Sequence, residues 1–248
     1  MSVKFTTFGS MSMLIERSDG FKILVDPYIT GNPQCKIKKE DLYDVDLILV
    51  SHVAFDHFGD APDIIANGHA EMRCDRSSLK IMKEKGLVKG SNVKSVGYGA
   101  VLEYGPTTIR VMRAYHSSTI KYDDGSFCYA PPLGFMIMVE PGVTYYAPGD
   151  TTVYGDMKLM NELYHPNVMS CGISNVKPGA GREKDLREAA FETLWLGADI
   201  VFPGHYIEGG TDLEEWKLYM KAINPRARII EEKNKTFVFT PYSITPEN

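Results

Sequence analysis

The sequence predicts an α/β fold made of two packed β-sheets covered by helices, and three observations carry that expectation. Strand-like runs fall in two clusters, one opening the chain and one from about residue 93 to 150. Helical patterns are interleaved with these strands and appended after them. The run "VDLILVSH" is almost continuously apolar, the mark of a strand buried on both faces. A chain of 248 residues can bury a substantial core, and no internal repeat, low-complexity tract or Pro/Ser-rich linker interrupts it. One domain over residues 1–248 is therefore expected.

Taken in order, "VKFTTFGSMSMLIER" and "FKILVDPYI" read as strand runs joined at "SDG", a hairpin signal. "KIKK" at 36–39, followed by Glu40 and Asp41, reads as a solvated helix start. After "VDLILVSH", Asp60 is placed to cap a helix with Pro62 in its first turn and Gly68 as its stop. "RSSLKIMKEKG" is an amphipathic helix ending at Gly86. "AVLEYG", "TTIRVMRAYH", "GFMIMVE" and "VTYYAPGD" are strands, the last two joined by the turn "EPGV". Met112, Met136 and Met138 are expected in the core on these strands.

The later part alternates. "GDMKLMNELY" is helical and leads through His165-Pro166 into the strand "VMSCGI". "DLREAAFETLWLG" puts Leu186, Ala189, Ala190, Thr193 and Leu194 on one face and stops at Gly197. "ADIVFPGHY" is a strand, "DLEEWKLYMKAI" a helix, and "ARIIEE" and "TFVFTP" are closing strands.

Composition removes several classes of function. A net charge of −5 with no clustered basic face argues against nucleic acid. No stretch approaches the roughly 18 apolar residues of a membrane span, and the opening "MSVKFTTFGS" reads as a strand rather than a signal peptide. Cys35, Cys74, Cys128 and Cys171 are far apart, with no C-x-x-C pair, which predicts a reduced cytoplasmic chain with packed thiols. A small-molecule substrate is the expected partner, and the sequence is compatible with a homo-oligomer.

The chemistry concentrates at strand ends. "DLILV" delivers Ser51-His52 and then Asp56-His57, "TIRVMRAY" delivers His116, "VTYYAPG" delivers Asp150, and "DIVFPG" delivers His205. Strand ends on one edge of a sheet converge in space, so four distant segments build one site. Imidazole and carboxylate suit a divalent metal with a position left for water. Such water is acidified to a pKa of about 7, giving a metal-bound hydroxide at neutral pH. Asp150 is placed to bridge two ions, and Asp56 to ligate, or to orient and deprotonate the attacking water.

These motifs, in this order, resemble the metallo-β-lactamase fold superfamily, in the branch of L-ascorbate-6-phosphate lactonase and related metal-dependent hydrolases. The resemblance runs through "FGSMSMLIE", "KILVDPYITGNP", "SHVAFDHFGD", "AYHSS", "GDTTVYGDMKL" and "GADIVFPGHY". It implies a four-layer αββα sandwich, two mixed sheets flanked by helices, with a metal cleft at one edge. It implies one ion near His52 and His116 and a second bound by Asp56, His57 and His205, with Asp150 shared and Asp26 orienting a ligand histidine. One or two divalent ions per chain are expected, with zinc, manganese, iron and nickel not distinguished. The implied activity is hydrolysis of a small anionic metabolite, a lactone, ester or phosphodiester.

Three departures from the branch stand out. Ala54 occupies the position of a usual histidine, "GSMS" at 9–12 replaces "GHS/A", and "VKPGAGREKDLREAA" is longer or more basic than the branch leads one to expect. The loss at Ala54 frames an alternative, a non-catalytic metal- or ligand-binding sensor with one impaired ion site. Tyr115, Lys177, Arg182 and Tyr206 are candidates to line a pocket for an anionic substrate, Lys177 and Arg182 from the glycine-rich "KPGAGREK". His69 and His165 read as surface residues, and His69 is the one distant candidate to replace the missing ligand.

Overall fold

A computed structural model describes residues 2–177, 181–241 and 243–247. Strands β1 (Val3–Gly9), β2 (Ser12–Glu16) and β3 (Lys22–Val25) form an antiparallel meander. The first sequence run therefore splits into two strands. Gly9 (φ +94°) and Ser10 (φ 50°) turn the chain there, with backbone angles that no continuous strand can hold. β4 (Leu47–Val50), β5 (Glu71–Cys74) and β6 (Val93–Ser95) extend the sheet in parallel from β3. The parallel steps need crossovers, supplied by a 3-10 turn at Lys39–Leu42, by α1 (Phe55–Phe58) with α2 (Ala61–Asn67), and by α3 (Arg76–Glu84).

The second sheet begins with the hairpin β7 (Val101–Tyr104) and β8 (Thr107–Arg113). A separate two-stranded ribbon, β9 (Ser118–Lys121) and β10 (Phe127–Ala130), follows. β11 (Leu133–Glu140) pairs antiparallel with both β8 and β12 (Val143–Ala147). β13 (Val168–Gly172), β14 (Ile200–Gly204) and the two-residue β15 (Arg228–Ile229) continue in parallel. The connecting helices are α4 (Asp156–Tyr164), α5 (Leu186–Leu196) and α6 (Asp212–Ile223). Finally β16 (Thr236–Thr240) returns to pair with β1, and β17 (Ser243–Pro246) completes an eight-stranded sheet facing a seven-stranded one.

Alternation along the strands sorts the side chains into three apolar layers. Leu47 and Leu49 of β4 face the other sheet, whereas Ile48 and Val50 pack under the first-half helices with Ile64, Ile65 and Met82. In β12, Val143, Tyr145 and Ala147 join the layer between the sheets, while Tyr146 packs outward with Met157, Ala189 and Trp216. The result is helices, sheet, sheet, helices: an αββα sandwich of mixed sheets, as expected. Among the described residues, no helix is long and apolar enough to cross a membrane.

Several local expectations need correction. β5, β6, the β9–β10 ribbon and β17 are short or lie at an edge, and their sequences carry little alternation. Leu194 is exposed on α5, and it is Glu192 and Leu196 that turn inward with Leu186, Ala189, Ala190 and Thr193. Met136 is fully buried, but Met112 and Met138 are half-buried at the sheet's outer face. Asp60 sits at the N-cap of α2 without capping it, because its carboxylate accepts instead from the N–H groups of Ile29 (3.0 Å) and Thr30 (2.7 Å).

Phe5 is the centre of the inter-sheet layer, with ring centroids of Tyr145, Phe202 and Phe239 at 5.6, 6.3 and 6.4 Å. Phe5→Ala should therefore cost about 3–5 kcal/mol of stability, read from urea unfolding. A loss under about 1 kcal/mol would mean that the two sheets are not held together there.

Candidate metal centre

Topology brings the predicted strand ends together. β8 and β12 are both antiparallel to β11 and so run the same way, and β13 and β14 are parallel to β12. The segments after β8, β12 and β14 thus leave the second sheet at one edge, carrying His116, Asp150 and His205. In the first sheet β3 and β4 are parallel, and their ends carry Asp26 and Ser51-His52. Asp56 and His57 follow on the single turn α1.

Tight backbone makes this edge possible. A Cβ on Gly149 (φ +62°) would lie 2.8 Å from both Leu133 O and Ser51 Cβ, and one on Gly204 would lie 2.1 Å from Ser10 O. Asp26 (φ 45°) and His205 (φ 54°) occupy the left-handed region, where a non-glycine residue is strained.

Asp26 organises the first half of the site. Its Oδ1 accepts from Ser51 N–H (2.7 Å), and its Oδ2 accepts from Ser51 Oγ–H and from His57 Nδ1–H, both at 2.8 Å. Because the Ser51 hydroxyl gives its proton to Asp26, its oxygen accepts from His52 Nδ1–H at 3.0 Å. One carboxylate thereby fixes Nδ1 of two histidines as the donor to its network and turns each Nε2 toward the cleft. Both Nε2 atoms are buried and have no hydrogen-bond partner among the described residues. On the other wall His205 Nδ1–H donates to the Ser174 carbonyl (3.0 Å), which turns its Nε2 inward as well.

The donors form two groups. The atoms of His52, His116 and Asp150 lie within 4.8 Å of one another, as do those of Asp56, His57 and His205. Asp150 also reaches the second group, with Oδ1 at 3.2 Å from His57 Nε2 and Oδ2 at 3.3 Å from His205 Nε2. Asp56 Oδ2 is 3.1 Å from His205 Nε2.

The electrostatics call for positive charge. Burial by itself would lower the pKa of His57 and His205. Asp150 outweighs burial at both residues, aided by Asp26 at His57 and Asp56 at His205, so both are raised. Burial would likewise raise Asp56 and Asp150. The facing histidines more than offset it: His205, then His57, hold Asp56 below the usual carboxylate range and Asp150 well below it. His52 is pushed well below the usual histidine range, first by burial and then by His57. Imidazole lone pairs aimed at carboxylate oxygens are satisfied by a proton or by a cation, and two unpartnered Nε2 atoms beside three buried carboxylates fit a divalent ion.

Ala54 lies at the N-cap of α1, where its carbonyl accepts from His57 and Phe58 N–H, and it offers no side-chain donor. His69 does not replace it, being exposed and 3.2 Å from Asp46, and His165 caps the C-terminal end of α4. A residue that sequence reading missed is Glu183, whose Oε1 is 3.0 Å from His116 Nδ1. Nothing in the sequence marks it, because the contact depends on how the loop before α5 folds back. That loop is anchored by buried Lys184, whose ammonium pairs with buried Glu192 (2.5 Å) and donates to Thr151 O (2.9 Å), directly after Asp150. Ser51, read only as a neighbour of His52, is the link between Asp26 and that ring.

The four pocket candidates separate. Lys177 and Tyr206 line a cavity beside the donors, whereas Tyr115 and Arg182 do not. Tyr115 is exposed, packs against Tyr154 with tilted rings 5.0 Å apart and accepts from Arg113, while Arg182 pairs with Asp212 at 2.8 Å. Residues 178–180 of the glycine-rich loop lie outside the described residues.

Residues 5–205 match the family described as the metallo-beta-lactamase superfamily. A UPF0173 metal-dependent hydrolase of Thermococcus kodakarensis is 33% identical over 233 residues, 92% of this chain and 95% of the relative. One from Pyrococcus abyssi is 34% identical over 231 residues, with the same coverage of each. Among solved structures, a novel metallo hydrolase from the hyperthermophilic archaeon Ignicoccus hospitalis superposes with a TM-score of 0.77 at 27% identity, covering 97% of this chain and 99% of that one.

Two outcomes follow from the geometry. Asp26→Asn, which removes the charge behind both His52 and His57, should weaken zinc binding about 10–100-fold in a competitive chelator titration. Because His57 and His205 hold protons above the ordinary histidine range, zinc must displace them. Calorimetry in buffers of different ionisation enthalpy should therefore show proton release near neutral pH and an affinity that rises with pH.

Proposed function

Since the chain belongs to the metallo-beta-lactamase superfamily and, within it, to the UPF0173 metal-dependent hydrolases, we propose that it hydrolyses a lactone, ester or phosphodiester bond in a small anionic metabolite. The observation that carries this reading is the pair of buried, unpartnered Nε2 atoms of His52 and His57 set among Asp56, His116, Asp150 and His205. Both sheets supply donors, which supports residues 1–248 acting as one unit. The sequence resemblance to the ascorbate-6-phosphate lactonase branch favours a cyclic or linear ester within that class.

His52, His116 and Asp150 would hold one ion, and Asp56, His57 and His205 a second, with Asp150 reaching both. When bound, such ions supply Lewis acidity, polarising a carbonyl or phosphoryl oxygen and lowering the pKa of water. The chain's own residues do the rest. Asp26 and the Ser174 carbonyl hold three imidazoles in the tautomers that present Nε2. The Asp56 carboxylate, kept ionised by His205 and His57 against its burial, takes the proton that the attacking water gives up. Asp150, equally ionised, keeps His57 and His205 facing each other across the cleft.

Ala54 favours a second reading, a metal- or ligand-binding sensor, because it leaves the first donor group with three members. Elemental analysis with turnover on a panel of lactones, esters and phosphodiesters separates the two. About two metal equivalents with hydrolysis support the enzyme; one or none without turnover supports the sensor. Asp150→Ala should lower bound metal and reduce kcat by at least about 100-fold, and intact activity in that variant would overturn the two-ion reading.

A further inference from the structure

Beside the donors lies a cavity of about 410 Å3, within the range of small-molecule sites. Its wall is tied to the metal centre by the chain itself. Phe55 precedes Asp56, Tyr206 follows His205, and the Ser10 carbonyl accepts from His205 N–H at 3.2 Å. Most of its polar groups are already engaged. Asn32 donates to the carbonyls of Phe8 and Tyr28 and accepts from Gln34 N–H. Gln34 accepts from Ser10 N–H and donates to the Tyr206 carbonyl, and the Tyr28 hydroxyl donates to Gly31 O.

Two groups stand apart. The Ser10 hydroxyl is buried, with Ser10 only 3% exposed, and it has no hydrogen-bond partner among the described residues. It is held there by a left-handed backbone (φ 50°), a strained conformation for serine. Lys177 is exposed and has no ion-pair partner among the described residues; its ammonium rests 4.3 Å from the centre of the Phe55 ring. Phe55 itself meets Tyr28 edge to face at 5.6 Å and is half exposed, an aromatic surface with room beside it. Glu208 stands on the same wall, where the ammonium of Lys233 lies over Tyr206 at 4.5 Å.

We propose that this cavity holds the non-reacting part of the substrate and selects a small compound with a flat apolar body and one carboxylate or phosphate. The anionic group meets Lys177 at the rim, the body lies between Phe55 and Tyr206, and the Ser10 hydroxyl bonds a polar atom next to the bond that is cut. An apolar slot with one buried hydroxyl and one cation discriminates by orientation: a neutral compound gains nothing from Lys177, and a sugar-like one sets hydroxyls against the apolar faces of Phe55 and Ile207. The assignment rests on the hydrolytic reading for the location of the cleaved bond, but not for the binding itself.

The test uses the full chain loaded with zinc and three probes in calorimetry: phenylphosphonate, inorganic phosphate, and benzyl alcohol. Phenylphosphonate should bind about tenfold more tightly than either of the others, and lose about tenfold in Lys177→Ala and in Phe55→Ala at unchanged zinc content. Ser10→Ala should lose several-fold. In parallel, turnover of an aryl ester bearing a carboxylate is compared with its neutral analogue, and Lys177→Ala should lower that preference about tenfold through KM. Equal affinity for phenylphosphonate and phosphate, unaffected by Lys177→Ala and Phe55→Ala, would show the ions alone holding the anion and overturn the pocket. Should no ester be turned over while the binding pattern holds, the hydrolytic reading falls and the pocket stands. Turnover with an unchanged preference in Lys177→Ala leaves hydrolysis standing and removes the pocket.

Discussion

The hydrogen bonds converging on the Asp26 carboxylate are the constraint from which the rest of the site follows. Three donors from two residues, Ser51 and His57, point at two oxygens that are almost completely buried. A buried carboxylate is tolerable only when fully bonded, and full bonding here dictates which nitrogen of His52 and of His57 carries hydrogen. The chain then presents the Nε2 atoms of His52 and His57 to the cleft without any local sequence rule having chosen them. The second wall repeats the device more simply, with the Ser174 carbonyl in place of the carboxylate.

Packing makes that arrangement rigid. β3 and β4 are held by Leu47 and Leu49 on one side and by Ile48 and Val50 on the other, so their ends have little freedom to shift. The aromatic cluster around Phe5 ties β1 to β12 and β14, the strands that deliver Asp150 and His205. Lys184 and Glu192 perform a comparable task outside the second sheet, where a buried ion pair fixes the carbonyl that follows Asp150. Such a pair adds little net stability over an apolar one, but it specifies one position for the loop.

Much of this was legible in the sequence, for an identifiable reason. His52, Asp56, His57, His116, Asp150 and His205 each follow a strand pattern, and strand ends on one edge must meet. Their convergence needs only the direction of the strands. Glu183, the Ser51 link and the Ser174 carbonyl were not legible, because each depends on a loop conformation or a backbone group that side-chain patterns do not encode. The misplaced face of α5 has a similar origin: Glu192 looks like a solvent residue until Lys184 supplies its partner. Tyr115 and Arg182 were plausible by residue type alone, yet neighbours at short range, Tyr154 and Asp212, engage them first. The short strands β5, β6 and β9 carry too few residues for an alternation to emerge.

Of the five non-glycine residues with positive φ among the described residues, three, Ser10, Asp26 and His205, stand at the cleft. Each such residue costs of the order of 1–3 kcal/mol, so the cleft is a place where the folded chain works against itself. A ligand that binds only the folded form returns free energy by mass action, about 4.1 kcal/mol at a thousand times its dissociation constant. The strain and that return are of similar size. Supply of the ion then does more than switch a reaction on. It sets how much of the protein survives heat and proteolysis, and a cell short of metal would hold less of it as well as a less active form of it.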